Sequence, residues 1–207
     1  CDVTKILFIV PDENLIPFAK EVLRTNHPQI EVASAVYEES IKLIQNRQSR
    51  GLEVVAARPG TAAAIRDAHL NIPVVEIPRT SFDIIRALDE AKSYGDKFAF
   101  IAHSEKIWGV ELFTEMMEIN LRQYTVSFKK DFEKEILAAQ AKGAEVILGG
   151  FSVAKTAKRL GIPCVLIKLG KESLLQAARE AKQICEAIEI EAAKRGVFGT
   201  VLDYSYD

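Results

Sequence analysis

The chain states one pattern twice. Residues 51–92 read GLEVVAARPGTAAAIRDAHLNIPVVEIPRTSFDIIRALDEAK, and residues 143–182 read GAEVILGGFSVAKTAKRLGIPCVLIKLGKESLLQAAREAK. Glu53-Val54-Val55 corresponds to Glu145-Val146-Ile147, ninety-two positions on, while Ile72-Pro73 corresponds to Ile162-Pro163, and Ala91-Lys92 to Ala181-Lys182, at ninety. The two-residue slip is placed in the loop 57–60 against Gly149-Gly150. KFAFIA at 97–102 also stands ninety-two after KILFIV at 5–10, so the repeat covers about 5–92 and 97–182. A duplication of this kind constrains the fold more than any other feature. Two copies are too few for a solenoid. Two like α/β halves leave a cleft between them, and domain interfaces are where small-ligand pockets concentrate.

Within each copy, short continuous apolar runs alternate with amphipathic helical segments. A run such as ILFIV at 6–10 has the look of a strand covered on both faces, as in parallel sheets. Leu15, Phe18, Ala19, Val22 and Leu23 then share one helical face. Steady strand–helix alternation means a parallel sheet with right-handed crossovers. The expected fold is α/β: two similar lobes, each a four-stranded parallel sheet with flanking helices, with a cleft between them in the manner of periplasmic binding proteins. The expected division is a first lobe at 3–79, a crossover helix at 80–94, a second lobe at 95–170, a long helix at 171–196 and a change of character at 197–207. The helix after each fourth strand is expected to cross to the other lobe.

Composition narrows the classes. With 207 residues and 48% hydrophobic content the chain can bury a core in each half, and a net charge of −2 suggests neither nucleic acid nor a membrane surface. No apolar run has the length of a membrane span. The start enters a strand almost directly, with no signal peptide, and the three cysteines Cys1, Cys164 and Cys185 lack zinc or disulfide spacing. A reducing, cytoplasmic setting is expected, with Cys164 and Cys185 as inert thiols and with no metal and no cofactor.

In open parallel sheets, ligands bind beyond the carboxyl ends of the strands. The residues there are rich in small hydroxyls beside helix starts: Thr61, Thr80, Ser81, Ser104, Ser152 and Ser173. Helix N-termini offer free N–H groups and partial positive charge to a carboxylate or phosphate. Gly60, Gly149 and Gly150 permit close backbone approach, and Arg58 and Arg79 add bidentate contacts. His103 is the one histidine at a strand end and is read as a polar ligand contact or an ordinary turn residue, the other reading being an acid–base pair with Glu105. Each hydroxyl is also an ordinary N-cap by itself. Convergence of several such loops in both halves is what favours a small-anion site. Neither GxGxxG nor a P-loop motif occurs, so a nucleotide site is unsupported, and no catalytic triad or metal-ligand spacing stands out.

The runs Arg58-x-Gly60-Thr61-Ala62, 72–77 (IPVVEI), Ser81-x-Asp83-Ile84-x-x-Ala87-Leu88-x-x-Ala91 and Gly149-Gly150 resemble the N-terminal sensor domain of the propionate catabolism activator family, over roughly residues 3–192. The chain departs from that pattern at Pro59 and at Phe151-Ser152. The resemblance implies a regulatory domain of a bacterial activator that works with sigma-54 RNA polymerase and DNA through the full-length protein. It implies downstream PAS and AAA+ domains, with LDYSYD at 202–207 resembling the opening of such a PAS domain. It implies a small carboxylate or other anionic effector, 2-methylcitrate in propionate regulators, and is compatible with a homodimer. The contrasting expectation is a carboxylate racemase or isomerase of the same architecture, which would place a cysteine at such a loop in each lobe. None of the loops named above holds a cysteine.

Overall fold

Strand β1 (Ile6–Val10) is buried at every position, which is what a continuous apolar pentapeptide requires of its surroundings. In the computed structural model, which describes residues 4–103 and 106–204, it lies inside a parallel sheet with β2 (Ile30–Ser34), β3 (Val54–Ala57) and β4 (Val74–Glu76), in the order β2-β1-β3-β4. Ile6 stands opposite both Ile30 and Val54. Helices α1 (Ile16–Arg24), α2 (Glu39–Gln48) and α3 (Pro59–Asp67) make the crossovers. Leu7 and Ile9, two apart and so on one face of the strand, pack with Val55, Ile44, Ala62 and Ile65.

The second sheet repeats the first. Strands β5 (Lys97–His103), β6 (Asn120–Val126), β7 (Val146–Gly149) and β8 (Cys164–Leu166) run parallel in the order β6-β5-β7-β8. Helices α4 (Ser81–Ala91), α5 (Val110–Met116), α6 (Phe132–Ala141), α7 (Phe151–Arg159) and α8 (Lys171–Tyr204) complete the chain. One face of this sheet buries Phe98, Phe100 and Leu148 against Ile84, Leu88 and Ala91 of α4. The opposite face buries Ala99, Ile101 and Ile147 against Ile136 of α6 and Ala157 of α7. The expected fold class of two like four-stranded parallel α/β sheets with flanking helices is met.

Each half of the repeat exports its last helix. The first compact unit holds the first sheet, α1–α3 and the chain from Leu174 onward; the second runs from Pro78 to Ser173 and so contains α4. Leu174, Ala177, Ala178, Ala181 and Cys185 of α8 are buried, at helical spacing. Cys185 Sγ lies 3.1 Å from a Glu53 carboxylate oxygen, and Lys5 donates to Glu189 at 2.5 Å. The segment 80–94 is therefore an ordinary layer of the second unit.

Three local expectations need correction. Strands β3 and β7 and helices α3 and α7 all correspond at ninety-two, whereas β4 and β8 correspond at ninety. The slip therefore lies after α3, in the connection 68–73 against 160–163, and not in the loop at 57–60. A helix absorbs no insertion without rotating its buried face by about 100° per residue, since it has 3.6 residues per turn. An irregular connection with left-handed positions at His69 and Asn71 absorbs it freely. Second, the loop expected at 57–60 shrinks to Arg58 alone: Ala57 ends β3 and Pro59 opens α3, because its fixed φ suits a first helical position and its missing N–H is not needed there. Third, α8 continues through Gly196 to Tyr204, past the change of composition at Val197. Extending an existing helix is far easier than nucleating one.

Candidate functional site

Both sheets have the 2-1-3-4 order, so the winding reverses between β1 and β3 and again between β5 and β7. Beyond the carboxyl ends of those central strands a doubly wound sheet opens a crevice. Arg58 follows β3, His103 ends β5, and Gly149-Gly150 closes β7 and opens α7. Arg58, Gly60 and Thr61 thus fall at the first of these places, and His103, Gly149, Gly150 and Ser152 at the second, one in each unit.

In the first unit Arg58 is the N-cap residue of α3, with no side-chain cap bond to the helix. It is 7% exposed, and its guanidinium donates to the Ile77 carbonyl at 3.5 Å. Thr61 is buried, and its hydroxyl oxygen accepts the Tyr37 backbone N–H at 3.1 Å. Tyr37 has φ 47, and its phenol lies over Gly60, where an added Cβ would come 2.8 Å from the hydroxyl. Tyr37 is the residue that the sequence reading missed. It stands in the connection after β2, so the strand-end rule applied to every strand would have included it.

In the second unit the start of α4 is already filled. Thr80 is the N-cap: its hydroxyl oxygen accepts the Asp83 N–H at 3.3 Å, and the Asp83 carboxylate accepts the Thr80 N–H at 2.9 Å. Ser173, wholly buried, donates to the same carboxylate at 3.2 Å, and Arg86 donates at 3.1 Å. Gly170 keeps this cluster tight, because a Cβ there would collide with the Asp83 carboxylate and crowd Glu172. Thr80 and Ser173 are therefore committed to the protein's own anion. Half-buried Ser81 is the first residue of α4.

The start of α7 is different. Gly150 is its N-cap, in extended conformation and with no side-chain cap, and the next residues, Phe151 and Ser152, are half-buried. The Arg79 guanidinium lies against Gly150, where any Cβ would strike it. Gly149 is required because a Cβ would run into Val153. His103 is half-buried at the end of β5; Ser104 and Glu105 lie outside the described residues. α3 and α7 are repeat counterparts, and in neither does the N-cap residue's own side chain bond to the first turn.

The described thiols, Cys164 in β8 and Cys185 in α8, belong to neither helix start. Burial pushes Cys164 up to about 12. Cys185 is pushed up to about 11, first by burial and then by its hydrogen bond to Glu53. Neither forms the thiolate that a cysteine base or nucleophile needs. Glu53, Cys185 and Glu189 bring three ligand atoms within 4.8 Å of one another. Lys5 lies among them, 3.3 Å from Glu53 and 2.5 Å from Glu189, so the cation of that cluster is an ammonium group. Among the described residues no helix is long and apolar enough to cross a membrane.

Two repeat-related doubly wound units with equivalent helix starts at their switch points make up the chain. An NtrC family transcriptional regulator from Clostridium acetobutylicum has the same fold, with TM-score 0.77 and 25% identity over 90% of this chain and 99% of that one. Residues 25–191 match the family described as Propionate catabolism activator, and the chain belongs to that family. Membership denotes a regulatory sensor domain of a transcription activator. Fainter likenesses exist to LsrB from Clostridium saccharobutylicum in complex with AI-2, with TM-score 0.40 and 12% identity over 85% of this chain and 74% of that one. Another is to a putative LacI-family repressor from Corynebacterium glutamicum, with TM-score 0.39 and 14% identity over 87% and 91%. These two are remote in fold as well as in sequence.

Proposed function

We propose that this chain is the ligand-sensing part of a sigma-54-dependent activator and that it takes a small organic anion at the starts of α3 and α7. The observation that carries the reading is the pair of repeat-related, uncapped helix starts, each with an arginine beside it: buried Arg58 at one and Arg79, lying on Gly150, at the other. The contrast with α4 supports it, since there the same position is neutralised by Asp83. Binding acts as a switch only so far as the anion prefers one conformation over the other. The 34-residue α8, anchored to Glu53 and Lys5, is the element that carries the change toward a downstream ATPase. Both described cysteines are poor nucleophiles, which argues against the racemase alternative and for a domain without catalytic turnover. A cytoplasmic setting follows from this role.

A thermal-shift screen of di- and tricarboxylates, 2-methylcitrate among them, tests the reading. At a hundredfold excess over its dissociation constant a ligand adds about 2.7 kcal/mol of stability, an easily read rise in melting temperature. The rise is expected to vanish in Arg58→Ala and to persist in part in Arg58→Lys. If no carboxylate or phosphate raises the melting temperature, the reading is wrong.

A further inference from the structure

The unit Pro78–Ser173 carries a second surface that the proposed site does not use. Trp108, the only tryptophan of the chain, is 91% exposed, and Leu112 and Met116 follow it at four-residue steps, 63% and 75% exposed. Such a cluster on so short a stretch is unusual for a surface left to water. Beside it runs β6, the terminal strand of its sheet. Its seven residues pair with β5 alone, and its outer N–H and C=O groups lack a strand partner. The repeat counterpart β2 has only five residues. Long open edges are normally shortened or covered.

Charge divides this surface in two. One carboxylate, Glu111, held by the Gln123 amide at 2.7 Å, and three cations, Lys106, Arg122 and Lys142, line a groove of about 400 Å³ between α5 and the strand. None of these three has a carboxylate partner among the described residues; Lys142 stands over the Tyr124 ring. The outer ridge carries Glu115 and Glu118, both exposed and without a cationic partner among the described residues. An acidic, apolar ridge thus lies next to a basic groove. A patch of this kind is complementary to itself after a two-fold rotation, which is the condition for an isologous dimer.

We propose that the chain pairs with a second copy of itself through α5 and the outer edge of β6, the ridge of each copy seated in the groove of the other. The run 106–126 with Lys142 has the size that one side of a stable interface needs, roughly 20–30 residues and about 800 Å² per partner. Burial of Trp108 and Leu112 supplies the apolar centre, and the carboxylates of one copy neutralise the cations of its partner. This pairing stands independently of what the domain senses.

The test uses the whole 207-residue chain and reads mass by sedimentation and Trp108 emission together, over about 0.1–200 µM, where a modest interface dissociates. Expected are a doubling of mass, a blue shift of emission over the same concentrations, and weakening by salt. Leu112→Glu, Glu115→Lys and Arg122→Glu each alter an exposed residue and so leave the fold intact by circular dichroism. Each is expected to raise the midpoint at least tenfold. Mixing Glu115→Lys chains with Arg122→Glu chains restores pairing, because both ridge–groove contacts then join opposite charges. A chain monomeric at the top concentration with unshifted emission overturns the proposal. So does a dimer unmoved by these substitutions, or an emission shift seen only on adding poly-glutamate, which would assign the face to a different, acidic partner.

Discussion

Replacing Asp83 by alanine probes the most interdependent cluster in the chain. The carboxylate is 3% exposed and accepts from the Thr80 N–H, the Ser173 hydroxyl and Arg86. Loss of its half of the capping box costs about 1 kcal/mol. The wholly buried Ser173 hydroxyl, left without its acceptor, adds about 1–3 kcal/mol. The Arg86 side chain is 55% exposed, so screening by water holds its ion pair well below about 1 kcal/mol. The sum is about 3 kcal/mol. With a urea slope of about 2 kcal/mol/M, the unfolding midpoint drops by about 1.5 M. Ser173→Ala alone removes the donor while Asp83 keeps its other partners, and costs about 1 kcal/mol. The double variant should lose less than the sum of the singles by about 2 kcal/mol, because no orphaned Ser173 hydroxyl is then left behind. Urea unfolding followed by circular dichroism measures all three. A loss under about 1 kcal/mol for Asp83→Ala would refute the assignment of that carboxylate as a buried, shared acceptor. The carboxylate-induced rise in melting temperature should survive in Asp83→Ala, since the proposed anion sites lie at α3 and α7.

Other outcomes follow from the same geometry. His27 is held below the usual imidazole range, first by burial and then by the charges of Lys182 and Arg179. The unfolded chain therefore takes up that proton first. The associated stability is full above about pH 6.5 and is lost as pH falls from there toward the depressed folded value. His27→Gln should flatten that part of the profile, and an unchanged slope of urea midpoint against pH excludes His27 as its source. In a Cys1→Ser chain, Cys164 and Cys185, pushed up to about 12 and about 11, should react with iodoacetamide at pH 8 only on unfolding. Prompt labelling of either in the native chain contradicts its burial. Gly149→Ala forces a methyl into Val153 and should cost about 1–3 kcal/mol. Val153→Ala in the same chain should recover part of it, and strictly additive losses would show that the two groups do not touch.

The candidate site was legible in part. Strand ends and glycines pointed to Arg58, Gly60, Gly149 and Gly150, and the structure gathers them at the two switch points. Thr80 and Ser173 have the same hydroxyl-at-helix-start signature as Thr61 and Ser152. Composition cannot tell which group each hydroxyl will meet. Asp83 engages Thr80 and Ser173, the latter ninety residues away, whereas Thr61 meets the Tyr37 N–H.

By itself the sequence determined the architecture. Apolar runs such as Ile6–Val10 and helical stripes such as Ile84, Ala87, Leu88 and Ala91 are local patterns, and their duplication specifies two like parallel sheets. Tertiary structure decided what those patterns meet. It sent α4 to the second sheet and α8 to the first, put Tyr37 over Gly60, and left α5 and the edge of β6 uncovered among the described residues. It also moved the slip of the repeat from the strand end at Arg58 to the connection before β4. The physical reason is range. Periodicity is set by each residue's own backbone and near neighbours, whereas a buried side chain's partner is chosen by packing across the whole chain.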